Sequence, residues 1–92
     1  MTEFALKIII PTKILRDVKT YMLVASGVEG EFGIMAQHAP MLVKLKRGYL
    51  KLYDKNDKIT ESILIDEGFC QVKDNQVIIL TSNLPEEAKY NN

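Results

Sequence analysis

Few side chains here are placed to do chemistry: one histidine, His38, one cysteine, Cys70, and the close carboxylates Glu29 and Glu31, and Asp66 and Glu67. A protein-bound zinc needs three or four converging ligands, so a lone histidine and a distant cysteine do not make a metal site. General acid–base catalysis needs a proton carrier oriented by a second group. His38 reads equally as an interface histidine or as a loop imidazole bonded to backbone. Asp66 and Glu67 are adjacent, so extended backbone sends them to opposite faces, a poor arrangement for an acid–base pair. Cys70 sits among Phe69 and Val72, where a small hydrophobe fills a core and a reactive thiol is out of place. Gly27, Gly30 and Gly33 are spaced Gly-x-x-Gly-x-x-Gly. That is neither a dinucleotide fingerprint nor a phosphate loop, and no strong helix follows to supply a positive dipole end. The set points to contact rather than catalysis, with no cofactor and no metal.

Short strands must carry these residues. Phe4, Leu6, Ile8 and Ile10 alternate with Ala5, Lys7 and Ile9; Leu50 and Leu52 alternate with Tyr49, Lys51 and Tyr53; Val43 and Leu45 alternate with Lys44 and Lys46. A period of two marks half-buried strands. Turn residues fall between them, with Asn56-Asp57 and Asp74-Asn75 as hairpin tips, because Asn and Asp tolerate positive φ. The expected fold is all-β: an antiparallel β-sandwich of two roughly five-stranded sheets over residues 1–84, then a short tail or helix start over 85–92 at Pro85-Glu86-Glu87. No crossover helix fits between the strands, which excludes a parallel α/β sheet.

Several strands are apolar on consecutive residues: Ile8-Ile9-Ile10, Tyr21 to Val24, Met41-Leu42-Val43, Ile63-Leu64-Ile65 and Val77 to Leu80. Neighbours on a strand point to opposite faces. A two-layer domain has one inner face per sheet, so the surplus lies outside, under a loop or against a partner. The plainer reading is ragged strand ends. A large aliphatic side chain left in water forgoes ~1.5–3 kcal/mol, which favours a protein–protein face.

Composition narrows the class further. The 92 residues suit one domain, and 47% apolar with 26% charged residues is an ordinary globular mix. Twelve basic and twelve acidic residues balance to zero, which argues against a nucleic-acid binder. No run approaches the ~20 apolar residues of a membrane-spanning helix, and the start shows no signal peptide. Lysines 44, 46, 51, 55 and 58 read as solvated strand sides that discourage edge-to-edge aggregation.

The stretch from Gly27 to Leu42 is specific. It runs Gly27-Val28-Glu29-Gly30-Glu31-Phe32-Gly33-Ile34-Met35-Ala36-Gln37-His38-Ala39-Pro40 before Met41-Leu42. It resembles the signature of the epsilon subunit of bacterial and chloroplast F-type ATP synthases, called delta in mitochondria. In that family an acidic glycine loop, Gly-x-Glu-Gly-x-x-Gly-Ile/Val, precedes His-Ala-Pro, and Gly27, Glu29, Gly30, Gly33, Ile34, His38, Ala39 and Pro40 match in order and spacing. Leu45-Lys46-Arg47-Gly48, Gly68 to Val72 and Val77 to Thr81 agree with the family's flanks. The resemblance implies a non-catalytic rotor subunit in the central stalk. One face packs on gamma, the lower end sits on the polar loops of the c-ring, and membrane contact is indirect, through the complex. It implies that Glu29, Glu31 and His38 face the c-ring, with Gly27, Gly30, Gly33 and Pro40 shaping the loop. It places the chain on the cytoplasmic side of the bacterial plasma membrane, the organelle being the alternative. Family members continue into a C-terminal helical hairpin that inhibits hydrolysis and in some members binds nucleotide. This chain is expected to lack that hairpin and both activities.

Two other classes stay in view. A stand-alone peptide or carbohydrate module would be a stable monomer that ignores gamma. A small enzyme using Glu31 and His38 would need a concave pocket that shifts proton affinities.

Overall fold

The computed structural model describes residues 2–82, and these fold into nine strands with no helix. They are β1 (Phe4–Ile10), β2 (Lys13–Thr20), β3 (Met22–Gly27), β4 (Gly30–Met35), β5 (Met41–Leu45), β6 (Gly48–Tyr53), β7 (Ile59–Ile65), β8 (Gly68–Lys73) and β9 (Gln76–Thr81). The expected tail or helix start at 85–92 lies outside the described residues.

The strands form one curled sheet with two halves facing each other. One half has five strands in the order β2-β1-β9-β8-β5, and the other has four in the order β4-β3-β6-β7. The halves join where Gly27 of β3 pairs with Leu45 of β5. This is the sandwich read from the alternation, with its two sheets continuous at one corner. Every pairing is antiparallel except β1 with β9. A parallel pair needs a long crossover, and here the seven intervening strands supply it.

Alternation sets which residues are inside. Leu6 and Ile8 of β1 and Ile79 of β9 are fully buried, as are Leu23 and Ala25 of β3 and Ile34 of β4. Leu50, Leu52 and Ile65 complete the core from β6 and β7. Both hairpin tips expected from Asn and Asp form, with Asp57 at φ 61, Asp74 at φ 52 and Asn75 at φ 59. Two buried hydroxyls tie elements across the domain. Thr20 Oγ1 donates to Tyr53 O at 3.0 Å, and Thr81 Oγ1 to Glu67 O at 3.0 Å. On one open side Arg16 of β2 reaches Glu61 of β7 at 2.7 Å. Each partner is about a third exposed, so the pair contributes at most ~1 kcal/mol; it clasps an edge that the core already holds.

Gly68 marks the closest backbone approach. A Cβ added there would fall on the carbonyl oxygen of Leu80 in the neighbouring strand. At Gly33 an added Cβ meets nothing nearer than 3.9 Å. Gly68→Ala should therefore cost about 2 kcal/mol or more, lowering Tm by roughly 10 °C. Gly33→Ala should leave Tm unchanged or slightly raised. Thermal unfolding of the two variants checks this; equal losses would show that the Gly68 contact relaxes freely.

Candidate functional site

The glycine-rich stretch is a hairpin, not an irregular loop. β3 and β4 pair in unbroken register from Met22 with Met35 to Gly27 with Gly30, leaving Val28 and Glu29 at the tip. Gly30 takes φ 135, a conformation closed to most side chains. Val28 N donates to Lys44 O at 3.0 Å and anchors the tip on β5. At the other end, residues 36–40 lead to β5, and Pro40 stands directly before its first residue. Gln37, at φ 63, donates its N–H to Asn75 Oδ1 at 2.8 Å, fixing this connection to the β8–β9 turn.

Glu29 and Glu31 therefore lie near one end of β4, and His38 lies beyond the other. All three border one groove of about 440 Å³ along the open side between β4 and β5. Its floor is Phe32, Met41 and Val43, half-buried against the core. His38 Nδ1 lies 2.8 Å from Ala39 O and donates to it, which matches the backbone-bonded imidazole of one sequence reading. Neither Glu29 nor Glu31 makes an ion pair among the described residues. No cluster of three or more His, Cys, Asp or Glu among the described residues could hold a metal ion.

The surplus apolar residues collect on the outer face of the five-stranded half. Register aligns Ile14, Ile9, Leu80 and Phe69 across β2, β1, β9 and β8 in one continuous row. Leu80 is 47% and Phe69 46% exposed. Ile78 and Leu42 extend the patch in the adjoining row, and Leu42 is 70% exposed. A groove of about 590 Å³ runs beside the row, lined by Ile9, Pro11, Lys44, Phe69 and Leu80. The four-stranded half carries a row of equal length in Met35, Met22, Tyr53 and Ile59. Its neighbouring row, Gly33, Val24, Lys51 and Ser62, is mostly polar or bare. Ile14 and Phe69 are not among the surplus apolar residues read from the sequence, because each has a single apolar neighbour, Leu15 and Cys70, and reads as part of a pair; only cross-strand register brings them to the row.

Residues 3–86 match the family described as ATP synthase, Delta/Epsilon chain, beta-sandwich domain. The chain belongs to this family. Among curated relatives, the ATP synthase epsilon chain of Chlorobium limicola is 37% identical over 81 residues, covering 88% of this chain and 91% of that one. The epsilon chain of Rickettsia bellii is 41% identical over 76 residues, covering 82% and 70%. Against the longer relatives from Paramagnetospirillum magneticum and Sulfurimonas denitrificans, this delta/epsilon-family chain spans 55% and 61% of their length. In fold it is similar to a chain of the Euglena gracilis mitochondrial ATP synthase OSCP/F1/c-ring structure, with TM-score 0.81 and 22% identity, covering 92% of this chain and 54% of that one. A chain of the Tetrahymena thermophila mitochondrial ATP synthase central stalk/c-ring gives TM-score 0.72 at 19% identity, covering 91% and 66%.

Cys70 is fully enclosed between the halves of this epsilon-type domain. Desolvation pushes its thiol pKa up to about 12, because burial disfavours the thiolate. The unfolded chain loses this proton near pH ~8.5. Stability from this group is thus fully present below that pH and declines as pH rises towards 12. The wild type should lose more stability than Cys70→Val between about pH 9 and 11, read by denaturant unfolding. Native Cys70 should also resist thiol reagents until the domain unfolds; rapid native labelling would contradict its burial.

Proposed function

We propose that this chain is a non-catalytic part of the central rotor of a proton-translocating F-type ATP synthase, helping to hold gamma on the c-ring. The observation that carries the reading is the apolar row Ile14, Ile9, Leu80 and Phe69 on a sheet face that a two-layer domain cannot bury by itself. Covering it would supply the core of an interface of ordinary size, ~800 Å² per partner. Gamma is assigned to this face, and family membership supplies the partner's identity. Glu29, Glu31 and His38 are assigned to the polar loops of the c-ring, where exposed carboxylates suit a basic partner. The chain would then work on the cytoplasmic side of a bacterial plasma membrane and touch the bilayer only through the complex. It contributes no catalytic group; its role is to transmit torque without slip.

Two measurements test the two assignments. Phe69→Glu and Leu80→Glu, both at half-exposed positions, should keep the fold yet weaken capture of the cognate gamma subunit by about tenfold or more, a loss of ~1.4 kcal/mol. Undiminished capture by both variants would remove gamma from this face. Separately, Glu31→Ala and His38→Ala should lower proton-driven ATP synthesis per assembled complex while leaving Tm unchanged. A fall in Tm with coupling intact would return both residues to a purely structural role.

A further inference from the structure

The sheet has four outer edges, and they are not equally guarded. An unpaired strand edge is a template for another chain, and proteins blunt such edges with lysine, proline or bulges. β2 carries Lys13, Arg16 and Lys19, and its register shifts beside Ile8 and Ile9. β7 has a register shift opposite Leu52 and Tyr53, and its Glu61 is clasped by Arg16. β5 follows Pro40 and carries Lys44. β4 is the least guarded: Gly30-Glu31-Phe32-Gly33-Ile34-Met35 holds no lysine, no proline and no shift over its whole length, and Glu31 is its one charge. Among the described residues it pairs only with β3.

This bare edge borders the groove floored by Phe32, Met41 and Val43. An added strand would lay its inward side chains on that floor and thereby extend the core. Its outward side chains would lie beside Glu31, Gly33 and Met35. Glu31 is exposed, with no ion pair among the described residues. With Glu29 it sets two carboxylates against the single ammonium of Lys44 on the groove. Gly33 is exposed and open, with room for a large ring from the next strand, a pairing that shields a bare edge glycine.

We propose that the free edge of β4 is a strand-addition site that takes an extended segment of a partner protein as a fifth strand of this half, with a basic side chain beside Glu31 and an aromatic one over Gly33. Main-chain ladder bonds supply affinity in this mode, and alternate side chains supply specificity. The inference rests on the reading that the Glu31 side meets a partner, and it names the chemistry of that contact.

Amide hydrogen exchange of the full chain tests it, with a blocked peptide of alternating pattern Lys-Val-Tyr-Val-Thr-Val as probe, its valines facing the apolar floor. Added peptide should slow exchange in β4 and in no other strand edge. Methylating alternate peptide nitrogens, which removes ladder donors and keeps the side chains, should weaken binding about tenfold. Glu31→Lys should weaken the lysine peptide and favour its glutamate counterpart. Unchanged β4 exchange at millimolar peptide would overturn the proposal. So would slow exchange in the free chain of the β4 amides that point away from β3, which would mean the edge is already satisfied, or protection confined to another edge. Gamma capture through Phe69 and Leu80 is measured independently, so failure here with capture intact removes the edge site and leaves the rotor reading standing.

Discussion

The structure depends on a corner where the chain passes from one half to the other without leaving the hydrogen-bonded ladder. Gly27 pairs with Leu45, Val28 N donates to Lys44 O, and Lys46 N donates to Ser26 O, each backbone bond at 3.0 Å. Backbone polar groups this close to a core must be paired, and between Leu45 and Gly48 the chain changes sheets, exchanging β8 for β7 as its partner while staying beside β3. The approach is tight, since a side chain at Gly48 would come within 2.8 Å of Ser26 Oγ. With the corner set, the inward register of both halves is set too, because a slip of one residue would turn every buried side chain outward.

The same corner leaves the opposite side open. β4 and β5 diverge from it with no ladder between them, and the groove at Phe32, Met41 and Val43 is what their separation exposes. The other open side is drawn together by Arg16 and Glu61. A domain this small has little core to spare, yet it leaves Leu42 mostly exposed and Phe69 and Leu80 nearly half exposed. That imbalance makes sense when part of the chain's apolar burial is completed by other proteins, and a net charge of zero leaves little self-repulsion to oppose association.

Two of the side chains that could do chemistry are held by the fold. The one thiol is sealed in the core, and the one histidine spends its Nδ1 hydrogen on a neighbouring carbonyl. The conspicuous carboxylates, Glu29 and Glu31, sit on a hairpin whose geometry is held by Gly30 and by the anchor on β5.

Period-two alternation made β1, β5 and β6 legible in the sequence, an unbroken apolar run marked β9, and Asn or Asp at positive φ made the tips at Asp57 and Asp74-Asn75 legible. Central strands must satisfy two neighbours and a core, and that demand writes itself into residue choice. β2 and β4 were not legible: Lys13–Thr20 reads as polar, and Gly30–Met35 reads as loop. Each is an edge strand serving one neighbour, so its composition is weakly constrained. The sequence alone determined the class of fold, the family and the existence of more apolar surface than a sandwich can hide. Only the tertiary structure decided where that surface lies and which site residues share a groove. Register within the β1–β2 and β8–β9 hairpins brings Ile14 beside Ile9 and Leu80 beside Phe69, register between the distant β1 and β9 joins the two pairs at Ile9 and Leu80, and His38 lies at the far end of β4 from Glu31. Register is a property of pairs of strands, and no single segment encodes it.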